Sequence, residues 1–139
     1  MRGARTVVVV ADDLIWASRL IEAVTRAGGR PVRLSSIVDL ETALEADALA
    51  ERSAEEAGLG LAGVIVDMTG RRYDGVAAVR GAKAAGKPVI AVAQHDDQVT
   101  RKRALDAGAV RVFSYNKFFT DGTRLVEGWL LAGSEGATR

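Results

Sequence analysis

The segment "TVVVVA" (Thr6–Ala11) constrains this chain more than any other. Its consecutive valines do not alternate with polar residues, so a strand made from them is buried on both faces. Such a strand belongs inside a parallel sheet with helices packed on either side. The run then ends in two adjacent carboxylates, Asp12 and Asp13. Like charges side by side next to an apolar core are unfavourable unless something compensates them.

The rest of the chain repeats this alternation of apolar run and helical period. Leu14, Ala17, Ile21 and Val24 recur at helical spacing, and Gly28-Gly29 forms a stop. "RPVRLSS" reads as a short second strand. Ser36 and Asp39 have capping-box spacing and open an Ala/Glu-rich helix to about Ala57, expected on the surface because its anchors (Ile37, Leu40, Leu44) are few. "LAGVIVDM" (Leu61–Met68) is a third strand that ends in an acid, Asp67. "GVAAVRGAKAAG" reads as a helix, "PVIAVA" (Pro88–Ala93) as a strand and "QVTRKRALDAGA" as a helix. "AVRVFS" (Ala109–Ser114) is a fifth strand, and "DGTRLVEGWLLAG" a last helix with Leu125, Val126, Trp129 and Leu130 on one face. Five strands alternating with five helices predict a doubly wound α/β domain over residues 1–132, with 133–139 as a flexible tail.

Composition narrows the chemistry. The chain has 139 residues, 48% hydrophobic and 27% charged, which suits one globular domain with an ordinary core. A net charge of +1 supplies no global field for nucleic acid or a membrane surface. The absence of cysteine excludes disulfides, thiol catalysis and zinc–thiolate sites, and a single histidine, His95, excludes a histidine-cluster metal site. The N-terminal apolar run is too short, and meets acid too soon, for a signal peptide. No segment approaches the roughly 20 apolar residues of a membrane span. A cytoplasmic location is the expectation.

In a parallel sheet the site lies beyond the carboxyl ends of the strands, near the switch in strand order. Asp12, Asp13 and Asp67 all fall at such ends, so three carboxylates are expected to converge. A hard divalent cation such as Mg²⁺ would compensate them, since it takes oxygen ligands and keeps several waters. Two rivals remain open. Asp13 could cap the first helix, and the arginines of "GRRYDG" (Gly70–Gly75) could pair with the acidic edge without a metal.

With "ADDLIWASRL", "GVIVDMTG", "KPVIAVA" and "DAGAVRVF" in this order, the sequence resembles the receiver domain of bacterial two-component response regulators, over nearly its whole length. The resemblance implies a flavodoxin-like, CheY-like five-stranded parallel sheet. It implies Mg²⁺ at Asp12 and Asp13, a phosphoacceptor at Asp67 and a metal-binding backbone carbonyl at Thr69. The chemistry is coherent, because a carboxylate attacks phosphorus while the ion neutralises the transferring oxygens. It further implies a histidine kinase or phosphotransfer protein as donor, a downstream protein partner, and a homodimer through the helix 4–strand 5–helix 5 face.

Two positions depart from the family. Its receivers end the fourth strand with Ser or Thr, where this chain has Ala93. They end the fifth strand with Lys, where an ungapped count places Tyr115; Lys117 would have to reach in from a longer loop and is followed by Phe118. A phenol cannot supply an ammonium's counter-charge. Two readings follow: a stand-alone phospho-accepting receiver with an altered switch, and a pseudo-receiver that acts through protein contacts without phosphate.

Other features have plainer readings. His95 in "QHDD" could bear on the acidic pocket, but Asp96 or Asp97 capping the next helix with His95 in solvent is the simpler expectation. A hydrolase with Asp67 as nucleophile and His95 as base lacks any substrate-pocket signal, so no enzymatic activity is expected. Arg101, Lys102 and Arg103 face different directions on a helix and read as a solvated face or a protein contact rather than a nucleic-acid site. "YNKFF" (Tyr115–Phe119) places three aromatics in what reads as a loop, either as core plugs or as an exposed anchor.

Overall fold

Non-alternating valine and isoleucine runs leave β1 (Thr6–Val10) and β3 (Leu61–Asp67) no face to turn to water, and the chain places them side by side at the centre of a sheet. The computed structural model describes residues 5–52 and 60–137. After β1 come α1 (Leu14–Arg26), β2 (Arg30–Leu34) and α2 (Ile37–Arg52). After β3 follow α3 (Gly75–Ala84), β4 (Val89–Ala93), α4 (Gln98–Ala107), β5 (Arg111–Ser114) and α5 (Tyr115–Ala137). All strand pairs are parallel and the order is β2-β1-β3-β4-β5, the expected flavodoxin-like winding.

Each sheet face carries its own core. Val8, Val10, Val64, Val66 and Ala91 pack toward α2, α3 and α4, while Val7, Val9, Ile65, Ile90 and Val92 pack toward α1 and α5. Each such side chain contributes on the order of 1.5–3 kcal/mol by leaving water. Val10 pairs with Val66, so β1 and β3 reach the same edge of the sheet in register. That register puts the first-strand acids beside Asp67.

Several expectations are corrected in detail. Helix α1 buries Ala17, Leu20, Ala23 and Val24, so its inner stripe includes Leu20 and Ala23 in place of Leu14 and Ile21. Leu14 is the first helical residue, next to the cap, and is 71% exposed. Asp74, expected as part of a turn, caps α3 by accepting from Val76 N and Ala77 N. Helix α5 begins at Tyr115, directly after β5, so "YNKFF" is its first turns and not a loop. Ser114 Oγ starts it by accepting from Lys117 N at 3.0 Å. The same helix runs to Ala137, into the segment expected as a tail; Thr138 and Arg139 lie outside the described residues.

Helix α2 starts as expected, with Asp39 N donating to Ser36 Oγ at 3.1 Å. Its predicted continuation to Ala57 falls partly outside the described residues. The helix is also more firmly seated than its few apolar anchors suggest. Leu40 and Leu44 are buried, and so is Asp47. Asp47 Oδ1 accepts from Leu61 N at 3.3 Å and Oδ2 lies 2.7 Å from Lys87 Nζ, tying α2 to the start of β3 and to the segment before β4.

Removing one partner of a buried ion pair strands the other charge. Lys87→Met should therefore lower the unfolding free energy by about 3–5 kcal/mol in urea denaturation, with Asp47→Leu added to it returning part of the loss.

Candidate functional site

The last residue of β3 puts a carboxylate where no water reaches it: Asp67 is fully buried. Its Oδ1 accepts from the Thr69 amide at 3.1 Å, from Thr69 Oγ1 at 3.0 Å, and from the Tyr115 hydroxyl in a very short bond. The Thr69 and Tyr115 hydroxyls also touch each other. Tyr115 is held over the site by Trp16, whose ring centroid is 4.4 Å from its own. All these donors are neutral. Among the described residues no lysine or arginine forms an ion pair with Asp67. Asp67 Oδ2 has no hydrogen-bond partner.

A second phenol closes the site from the β3–α3 segment. Tyr73 OH lies 3.0 Å from Val10 O and 2.6 Å from Asp67 O, so it bridges the ends of β1 and β3. Gly70 makes room for it, because a Cβ there would meet the Tyr73 ring. The same segment turns its amides inward. Arg71 N and Arg72 N donate to Asp12 Oδ2 at 2.8 and 2.6 Å. The compensation anticipated from "GRRYDG" thus comes from its main chain, while the arginine side chains do not pair with the acids. On the other side of the β1 end, Arg33 Nε donates to Ala11 O at 3.0 Å.

The remaining candidates separate clearly. Asp13 is exposed and caps α1, accepting from Trp16 N at 3.0 Å. Lys117 does not reach the acids: it sits on α5 with Nζ 2.9 Å from Asp121 Oδ2, because α5 leaves no loop to carry it inward. Ala93 is buried at the end of β4 beside Ser114, whose hydroxyl is engaged as the α5 cap. His95 faces solvent, and Asp97 caps α4 through Thr100 N at 3.0 Å and Thr100 Oγ1 at 2.7 Å. Of "YNKFF", Tyr115 and Phe118 are buried while Phe119 is 59% exposed, with the Arg19 guanidinium 4.1 Å from its ring centroid.

The set expected to hold a divalent ion is only partly assembled, with Asp67 Oδ2 buried and unpartnered. Asp13 is turned to its helix, Asp12 Oδ2 holds two amides, and Asp67 Oδ1 holds three donors. Among the described residues no group of three or more His, Cys, Asp or Glu side chains is placed to hold a metal ion. Sequence reasoning missed Tyr73, Arg33 and the donor role of Thr69. Tyr73 stands in the quoted "GRRYDG", but nothing local shows that its ring folds back under Gly70.

No protein-family model matches the chain, and no curated protein matches it by sequence. Solved structures do match its fold. A response regulator receiver domain from Rhodospirillum rubrum is 22% identical, with 91% of this chain and 94% of that chain covered and a TM-score of 0.68. The receiver domain of a sensor histidine kinase from Pseudomonas aeruginosa PAO1 is 16% identical, covering 92% and 98%, with a TM-score of 0.70; it has a magnesium ion in its active site cleft. A CheY-like receiver domain protein from Methanospirillum hungatei JF-1 is 14% identical, covering 96% and 99%, again with a TM-score of 0.70. The chain has the response-regulator receiver fold.

Burial is the first cause that raises the proton affinity of both phenols. The charges of Asp67 and Asp12 follow for Tyr73, and the hydrogen bond to Asp67 follows for Tyr115. A raised value means that the folded state holds the proton more tightly. Its stabilisation is complete below about pH 10, the ordinary phenol value, and is lost as pH rises beyond it. These are the only two tyrosines, so tyrosinate absorbance should stay absent through about pH 10 while the chain is folded and appear as it unfolds. A normal titration in the folded protein would contradict the bonding described here.

Proposed function

We propose that this chain is a receiver-type signalling domain that works through protein contacts, with its acidic site closed internally instead of being charged by phosphoryl transfer. The observation that carries this reading is the Tyr115 hydroxyl on Asp67, at the position where the resemblance calls for a lysine. A phosphoryl group brings about −1.5 to −2 charges and three acceptor oxygens. At Asp67 it would meet a phenol, a threonine hydroxyl and an amide but no ammonium, because Lys117 is paired with Asp121. The fourth strand supplies no hydroxyl at Ala93 to read such a group. Asp12 then serves to order the β3–α3 segment through its amides, and Asp13 serves as a helix cap. Signalling in this reading needs a downstream protein partner but no histidine kinase, and no covalent chemistry of its own.

One observation favours the second reading, a phosphoacceptor with Mg²⁺. Asp67 Oδ2 is buried without a partner, which is the kind of atom a cation or a transferred group would engage. Intact-mass measurement after incubation with acetyl phosphate and Mg²⁺ separates the two. The expected result is no phosphoryl adduct on the wild-type chain. An adduct that disappears in Asp67→Asn would establish the second reading. The same experiment on Tyr115→Lys asks whether the missing ammonium is what keeps the site closed.

A further inference from the structure

Beside the closed acidic site the surface is open. A cavity of about 370 Å³ lies among the start of α1, the β4–α4 loop and the first turns of α5. That volume falls within the range of small-molecule sites, roughly 300–1,000 Å³, which are typically walled by aromatic rings with a few convergent polar groups. Here the rings are Trp16, Tyr115 and Phe119, and the polar groups include Arg19, Gln94 and His95. Tyr115 belongs to both places: its ring is part of this wall, and its hydroxyl bonds Asp67.

The cavity carries a permanent positive charge and no negative one. None of its lining residues is an aspartate or a glutamate. Among the described residues Arg19 has no ion-pair partner. Its guanidinium lies 4.1 Å from the Phe119 ring centroid and 5.6 Å from that of Trp16. The acids nearest to it in sequence, Glu22 and Asp13, are engaged elsewhere: Glu22 pairs with Arg26 at 2.8 Å, and Asp13 caps α1. Two apolar side chains of the lining are left to water, Ile15 at 66% and Phe119 at 59% exposure. Open apolar surface in a concave site beside an unpaired cation marks a place for a ligand that complements both.

We infer that this cavity binds a small planar aromatic carboxylate. The ligand's ring packs among Trp16, Tyr115 and Phe119. Its carboxylate takes the Arg19 guanidinium, whose planar fork matches two carboxylate oxygens, while Gln94 and His95 offer N–H donors at the rim. A nucleotide is a poorer fit, because a phosphate monoester brings about −1.5 to −2 charges to a single guanidinium. An inorganic anion has nothing to set against three rings. The bound acid touches Tyr115, so occupancy is in contact with the residue that closes Asp67. The inference goes beyond the contact-based reading above, and its test does not depend on whether Asp67 accepts phosphate.

The probe is a fluorinated naphthoate, titrated with the full chain and followed by fluorine NMR. Its signal should broaden and shift, and the matching neutral naphthamide should bind about tenfold more weakly. Arg19→Gln should weaken the acid by about tenfold and leave the amide unchanged, which brings the two to parity. Phe119→Leu should weaken both, because it removes a wall and not a charge. Arg80→Gln, exposed on α3 across the sheet, should change neither. Both altered lining residues are exposed, and circular dichroism confirms that the variants fold. The proposal is overturned if the naphthoate fails to bind, if the amide binds the unaltered chain as tightly as the acid, or if Arg80→Gln weakens binding as much as Arg19→Gln. It is also overturned if adenosine monophosphate or inorganic phosphate displaces the naphthoate at lower concentration than unlabelled naphthoate does.

Discussion

A carboxylate that water cannot reach governs the arrangement of this end of the molecule. Asp67 closes β3 in the middle of the sheet, and burial of a negative charge is costly unless donors replace its hydration. Three donors do so at Oδ1, and each comes from a different structural decision. The Thr69 amide follows from the turn after β3, the Thr69 hydroxyl from the residue chosen there, and the Tyr115 hydroxyl from α5 starting with no intervening loop. All are neutral. Oδ1 is therefore satisfied by dipoles and not by a counter-ion, while Oδ2 is buried without a partner.

The same end is braced from the opposite direction by the segment between β3 and α3. Tyr73 lies against the carbonyls of Val10 and Asp67, which ties the two central strands together at their last residues. Asp12 receives the amides of Arg71 and Arg72, so the segment is anchored at both a phenol and a carboxylate. Gly70 permits the close approach of the Tyr73 ring. In this arrangement the acids organise the backbone near them, which gives them a reason to be present without a ligand.

Far from the acids, a different balance of forces shapes the surface. At one edge of the sheet β2 carries Pro31, and at the other β5 is flanked by two grooves that Arg101, Arg111 and Arg124 help to line.

Much of this was legible in residue order. Non-alternating runs such as Thr6–Ala11 and Leu61–Asp67 dictate buried parallel strands, because no pattern of exposure suits them otherwise, and the switch in strand order then brings Asp12 and Asp67 to one edge. Ser36 was readable as a cap because capping is local, a matter of spacing within one turn, whereas residue order pointed Asp13 to the metal with a cap as its rival, and left Asp97 as one of two candidates with Asp96. Partnerships between distant segments were not readable. The bond between Tyr115 and Asp67, the pairing of Lys117 with Asp121, the burial of Asp47 against Lys87 and the fold-back of Tyr73 all depend on where a helix begins or how a turn closes. Sequence determined which residues reach the carboxyl edge of the sheet, since hydrophobic periodicity acts residue by residue. Only the tertiary structure decided which side chain faces Asp67, because hydrogen bonding between remote groups depends on shifts of a single residue that periodicity does not record.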